Sequence, residues 1–243
     1  MNNFVIMGIL LEFPDLQRNN QRINSRDYTL INEFVNSVIK YNYKCVILHN
    51  SLDDEFIDKY SNDNVSFSRC YPKDEYNLYI NKWLCIDRHL QKFGSQYDKV
   101  MISDLTDVVL LKEGLFDYIE DQNIYCGSET STLANEWVKK FSLDLQLKSF
   151  QVGSWYKGNT YKTLLNAGLL AGTVPIVSNL VNEICSLLKG YCKYSKDVAV
   201  EMLAFNYVMY YYEKYYKLNY GEPFHTVFKA YDLNNTNSYV AHK

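Results

Sequence analysis

The chain has 243 residues, 47% of them apolar, and its 25 basic and 28 acidic residues give a formal net charge of -3. This length suffices for one domain with a sizeable core, and the balanced charge does not favour nucleic acid as a partner. The six cysteines include no C-x-x-C pair, which argues against a zinc site and indicates a reducing compartment. Because no apolar run is typical of a signal peptide or a membrane span, we expect a cytoplasmic protein without a transmembrane segment.

The first hundred residues alternate between strand patterns and helix patterns. The predicted strands are the apolar runs 4–11, 45–48, 65–67 and 100–103. The predicted helices between them are 28–41, 53–60 and 78–93. Alternation of this kind predicts an α/β fold with a parallel sheet and helices on both faces.

The second half of the chain is less regular. Its predicted elements are a short helix at 114–120, a strand at 124–126, a helix at 133–147, a strand at 164–172 and helices at 175–188 and 198–212. Residues 151–160 are rich in Gly, Ser, Asn and aromatic side chains, which predicts a loop that lies over a site. We find no internal repeat or linker, so residues 1–243 are predicted to form a single domain.

Two carboxylates end the fourth predicted strand. Asp104 and Asp107 follow a continuous apolar run, and open parallel sheets bind their ligands beyond the carboxyl ends of such strands. A Mg²⁺ or Mn²⁺ ion would relieve the repulsion between two close carboxylates and leave coordination sites for phosphate oxygens. The alternative is that Asp104 caps a turn and Asp107 is solvated.

A second candidate segment is the Asn166-Ala167-Gly168 stretch of the predicted strand 164–172. Glycine lets the backbone approach a ligand closely, and an asparagine side chain offers a donor and an acceptor to hydroxyl groups. The alternative is a glycine that is merely tolerated in a core strand.

Four motifs together resemble those of GT-A glycosyltransferases. They are Asp104-Leu105-Thr106-Asp107-Val108-Val109, Leu165-Asn166-Ala167-Gly168-Leu169-Leu170-Ala171-Gly172, the late acid Asp197, and Val240-Ala241-His242-Lys243. The resemblance implies a mostly parallel, Rossmann-type central sheet flanked by helices, with a nucleotide-binding half at 1–110 and an acceptor-binding half at 111–243. The extra residue between Asp104 and Asp107 departs from a strict D-x-D motif, which leaves open which acid binds metal directly.

The resemblance also implies roles for individual residues. Asp104, Asp107 and His242 would hold Mn²⁺ or Mg²⁺, and Asn166, Gly168 and Asp104 would contact the nucleotide-diphosphate sugar. Asp197 resembles the late-helix acid that faces the acceptor, although it also fits a helix N-cap, and Glu129 is a further candidate for the catalytic base. Lys82 and Arg88, on the helix before the acidic motif, and Arg22 and Arg26, after the first strand, are candidate cations for the diphosphate.

The function that follows is transfer of a sugar from a nucleotide-diphosphate donor to a hydroxyl of a carbohydrate acceptor. An inverting reaction would require a base such as Asp197 or Glu129, whereas a retaining one would not. One alternative is a binding module for nucleotide sugars or carbohydrates without turnover. Another is a nucleotidyltransferase, which would require a glycine-rich basic loop after the first strand that residues 7–14 do not provide.

Overall fold

The computed structural model describes residues 3–229 and 232–242. Its central sheet contains seven strands: β1 (Phe4–Leu10), β2 (Cys45–His49), β3 (Val65–Arg69), β4 (Lys99–Ser103), β6 (Asn123–Thr132), β7 (Thr163–Thr173) and β8 (Lys217–Tyr220). A separate two-stranded sheet pairs β5 (Val108–Leu110) with β9 (Val240–His242). The spatial order in the central sheet is β3-β2-β1-β4-β7-β6-β8.

Helices cover both faces of this sheet. They are α1 (Asn32–Lys40), α2 (Asp54–Tyr60), α3 (Leu78–Phe93), α4 (Leu115–Tyr118), α5 (Glu136–Phe141), α6 (Leu143–Lys148), α7 (Phe150–Asn159), α8 (Val174–Tyr191) and α9 (Val200–Tyr212). One core lies between the sheet and α3, α8 and α9, and a second lies between the opposite face and α1. Within the described ranges, no helix has the length and apolar character needed to cross a membrane.

The pairing of the strands confirms the predicted α/β fold with a mostly parallel central sheet. β1 pairs in parallel with β2 and with β4, and β2 pairs in parallel with β3. β7 is the exception, because it runs antiparallel to both β4 and β6. The carboxyl end of β4 therefore meets the middle of β7 rather than one of its ends, with Ser103 opposite Leu169.

The helix between the third and fourth strands shows why the predicted elements form. The Asn77 side chain accepts from the Ile80 N–H and caps α3, which then has the predicted limits 78–93. Ten of its 16 residues are buried, including Lys82 and Trp83, because its faces contact both the sheet and α8. α3 is therefore a core helix that carries one cation toward the ligand edge.

Several predicted elements differ from the structure, and three of them illustrate the reasons. The predicted loop 151–160 is the helix α7, which the Ser149 side chain caps and which buries Val152 and Tyr156 against the core. The predicted helix 133–147 is two short helices, α5 and α6, because the chain turns at the buried Ser142. The last predicted helix begins at Val200 rather than at residue 198.

Candidate functional site

The acidic loop lies where β4 leaves the central sheet. Asp104 follows the last residue of β4, and its N–H donates to the Gly168 carbonyl at 2.8 Å. Asp107 directly precedes β5, whose Val108 is paired with His242 of β9. This pairing brings the His242 Nε2 atom to 3.9 Å from Asp107 Oδ2. Asp107 and His242, which are 135 positions apart in the sequence, thus lie side by side.

An irregularity in β7 brings Asn166 and Gly168 to the same place. Along the β6–β7 pair, Cys126 is opposite Leu170 while the next residue, Gly127, is opposite Asn166. The intervening residues of β7 therefore leave the regular ladder, as in a bulge. The Asn166 Oδ1 atom accepts from the Gly168 N–H at 2.8 Å and holds this local turn.

Gly168 leaves a small space at the centre of the site. A Cβ atom at this position would lie 2.8 Å from Asp104 Oδ2, 2.9 Å from Asn166 Oδ1 and 3.0 Å from His242 Cε1. Its φ is outside the left-handed region, so the backbone itself does not require glycine. Glycine is required here because a larger residue would clash with the side chains of Asp104, Asn166 and His242.

Lys82 joins α3 to the acidic loop. Its Nζ atom lies 2.6 Å from Asp104 Oδ1 and donates to the Ala167 carbonyl at 3.1 Å. Burial favours neutral lysine and lowers its pKa, but the Asp104 and Glu201 carboxylates raise it more, so the net pKa of Lys82 is raised. Lys82 is therefore a buried ammonium that fixes one oxygen of Asp104.

Glu201 is a buried acid of the site that the sequence analysis missed. Its Oε2 atom accepts from Trp83 Nε1 at 2.5 Å, and burial raises its pKa despite the opposing effects of Lys82 and Trp83. The sequence carried a signal, because Glu201 is the one charged residue in the run from Val200 to Tyr210, whose other residues except Asn206 are apolar or aromatic. Charged residues are seldom buried unless they are paired.

Asn206, the second polar residue of that run, supports β7 next to the site. Its Oδ1 atom accepts from the Leu165 N–H and its Nδ2 atom donates to the Leu165 carbonyl, each at 2.8 Å. This two-point contact satisfies the backbone of β7 just before the irregular turn at Asn166. α9 therefore has two roles: it positions β7 through Asn206, and it carries Glu201 into the site.

His242 is buried, with 1% of its surface exposed. Neither ring nitrogen has a hydrogen-bond partner among the described residues. Burial, reinforced by His225 and Lys82, lowers its pKa to about 4 against the opposing effect of Asp104, so the imidazole is neutral at pH 7. Buried polar atoms normally have partners, and a neutral imidazole is a metal ligand.

Within the described part of the chain, no three His, Cys, Asp or Glu side chains already converge as a set of metal ligands. The residues nevertheless fit a cation. Asp104 and His242 both face the space at Gly168, and Asp107 lies beside the unsatisfied imidazole. Carboxylate and imidazole groups together suit Mn²⁺.

Glu129 lies on the other side of Asn166. Asn166 Nδ2 donates to Glu129 Oε1 at 3.1 Å, so a single asparagine contacts both Gly168 and this acid. Burial raises the pKa of Glu129, while Asn166 and Lys229 oppose the shift. A carboxylate with a raised pKa is a stronger base than an exposed one.

Two cavities meet at Asp104 and Asp107. The first, about 490 Å³, is lined by site residues that include Glu129, Asn166, Gly168, Glu201 and His242. Its rim also includes residues that the sequence did not indicate: Gln17, Asn135, Trp137, Phe228 and Lys229. The second, about 250 Å³, lies toward the end of β1 and contacts Lys82 and Glu201. A further cavity of about 730 Å³ lies at the opposite edge of the sheet, beside Phe4, Lys99 and Thr173.

Several predicted site residues lie elsewhere. The Asp197 carboxylate accepts from the Asp144 N–H at 2.7 Å at the start of α6 and does not line either cavity. Its carboxylate therefore caps a neighbouring helix, and Glu201, one turn further along, is the acid of that segment that faces the site. Arg88 is exposed and donates to the Tyr71 carbonyl. Arg26 pairs with Asp53 at 3.0 Å, and Arg22 is exposed.

No family model and no curated protein sequence matches this chain.

Proposed function

We propose that the protein is a metal-dependent glycosyltransferase of the GT-A type, which transfers a sugar from a nucleotide-diphosphate donor to a carbohydrate hydroxyl. One observation carries the proposal. The virtual Cβ of Gly168 meets Asp104, Asn166 and His242, so three polar side chains from different strands and loops converge on one space at the ligand edge of the sheet. A purely structural glycine would not require three polar neighbours.

Asp104, Asp107 and His242 would hold Mn²⁺ or Mg²⁺ in this space. When bound, such a cation supplies positive charge that stabilises the diphosphate as it leaves the sugar. The chain supplies the orientation of these groups, since Lys82 fixes Asp104 through one oxygen and leaves Oδ2 facing Gly168. His242 is held by its backbone, whose N–H donates to the Thr226 hydroxyl at 2.9 Å.

The two cavities suit the two ends of a nucleotide sugar. The cavity toward β1 is lined by apolar side chains such as Ile9, Leu11 and Ile23 together with the aromatic ring of Tyr79, which suits a nucleoside. The larger cavity, with its carboxylates and amides, suits the hydroxyl groups of a donor sugar and its acceptor. The diphosphate would then lie between them, beside Asp104 and Asp107.

Glu129 is the candidate base toward the acceptor hydroxyl. It lines the larger cavity, its pKa is raised, and Asn166 holds one of its oxygens. Glu201 is tied to Trp83 and lies near Lys82, which suits hydrogen bonding to a bound sugar rather than proton removal. The six free thiols also agree with the cytoplasmic setting that we propose.

A thermal-shift panel tests the donor class. We expect at least one nucleoside diphosphate or its sugar derivative to raise the melting temperature, and Mn²⁺ to increase that shift, because a ligand of the native state stabilises it. The donor proposal fails if no nucleotide in the panel stabilises the protein with Mn²⁺ present. Release of free sugar or transfer to an acceptor distinguishes an enzyme from a binding module without turnover.

A further inference from the structure

A small cleft lies on the outer helical layer, lined by residues other than those of the candidate site. α7, α8 and α9 enclose a cavity of about 210 Å³. Its lining residues are Gln151, Glu183, Leu187, Tyr207, Val208, Tyr211 and Tyr212. Three tyrosines from one helix thus meet an amide from α7 and a carboxylate from α8.

The aromatic rings form an ordered cluster around this cleft. Tyr207 packs edge-on against Trp155 at 5.3 Å and is stacked with Tyr211 at 6.0 Å, measured between ring centroids. Tyr212 is stacked in turn with Tyr216 at 6.2 Å. Because Tyr207 is 7% exposed and Tyr211 is 41% exposed, the cluster has a fixed base and an accessible edge.

Some of the polar groups of the cleft are available to a ligand, whereas Tyr211 is already in contact with Lys214, whose Nζ atom lies 3.9 Å from the centroid of its ring. Among the described residues, no protein group forms a hydrogen bond with the hydroxyls of Tyr207 or Tyr212, and neither oxygen is among the buried unsatisfied atoms. The side chains of Gln151 and Glu183 are exposed at the rim. Glu183 forms no ion pair with any residue that the structure describes, so its carboxylate is free to accept hydrogen bonds from a ligand.

We propose that this cleft, which shares no lining residue with the candidate site, binds one pyranose ring of a neutral glycan. A pyranose has an apolar face of C–H groups that packs on aromatic rings, and hydroxyls at its edge that match a carboxylate, an amide and phenols. The enclosed volume accommodates a single sugar ring rather than a nucleotide or a helix. Such a site would hold an oligosaccharide on the protein whether or not a nucleotide donor is bound.

Saturation-transfer difference NMR on the full chain tests this inference. The probes are the methyl glycosides of glucose, galactose, mannose, N-acetylglucosamine and fucose, without nucleotide or metal. We expect at least one glycoside to receive saturation in the wild-type protein. Tyr211→Ala and Glu183→Gln should each weaken its binding by about tenfold, because the first removes a wall of the cleft and the second replaces a charged acceptor with a weaker, neutral one.

Tyr161→Ala is the matched control, since Tyr161 is 74% exposed and lies outside the cleft. It should bind the glycoside as the wild type does. Two results overturn the inference: no glycoside binds, or Tyr211→Ala and Glu183→Gln both bind like the control. A concentration-dependent dimer that Tyr211→Ala dissociates would also overturn it, because the cleft would then be an interface between two copies of the chain.

Discussion

At the level of single residues, the candidate site depends on side chains that are far apart in the sequence. Lys82 fixes one oxygen of Asp104, and His242 lies beside Asp107 and the space at Gly168. Asp104 and Asp107, which follow a buried strand, and Gly168, which lies within another, also stand out in the sequence. Whether they bind metal and a nucleotide stays a prediction.

Other site residues could not be assigned from local patterns. Asp197 and Glu201 are both acids near the start of the same helix, and only the packing of α3 against α9 turns Glu201 toward Lys82. Arg88 and Lys82 share a helix, yet the helical repeat points Arg88 to solvent and Lys82 to the core. Which side of a helix faces a ligand depends on tertiary contacts that a single sequence does not specify.

At the scale of elements, the first half was predictable and the second less so. Regular strand and helix alternation gave α3 its observed limits, because its cap and apolar spacing agree. The direction of β7 could not be read from the sequence. The helix at 151–160 was not predicted either, because glycines within an aromatic segment indicate a loop. One of those glycines, Gly153, has a packing reason instead.

Gly153 lets α7 approach α6 closely. A Cβ at Gly153 would lie 2.1 Å from the Gln146 carbonyl oxygen, whereas at Gly158 of the same helix it would meet nothing within 4 Å. Gly153→Ala should therefore lower the free energy of unfolding by about 2 kcal/mol or more. Gly158→Ala should raise it by roughly 0.5 kcal/mol, through helix propensity. Urea unfolding of the two variants checks this, and equal stabilities would show that the two helices do not approach as described.

At the scale of the whole molecule, the histidines link folding to pH. Burial lowers the pKa of all four, to about 4 for His89, His225 and His242, and by a smaller shift for His49. A folded-state pKa below the unfolded value of 6.5 gives stability that is complete above pH 6.5 and is lost as the pH falls toward 4. The pKa values of Glu129 and Glu201 are raised, so these two carboxyl groups favour the folded state at low pH. They oppose the trend only in part, because two groups act against four histidines.

We therefore expect the free energy of unfolding to decrease between pH 6.5 and pH 4. Urea titrations at several pH values measure the slope, which reports the difference in bound protons between the unfolded and folded states. His242→Gln should reduce the slope by about one proton, since it removes one buried imidazole. A protein equally stable at pH 6.5 and pH 4 would show that these histidines are not buried as neutral groups.

The proposed function depends on the space beside Gly168 holding a divalent cation together with a diphosphate. Electron paramagnetic resonance measures free Mn²⁺ directly during a titration with the protein and a nucleoside diphosphate. We expect the wild type and Gly158→Ala to remove one Mn²⁺ per chain from solution, beyond what the nucleotide binds alone, and we expect Gly168→Ala not to do so. Binding of Mn²⁺ by Gly168→Ala as tightly as by the wild type, or no binding by the wild type, would contradict it.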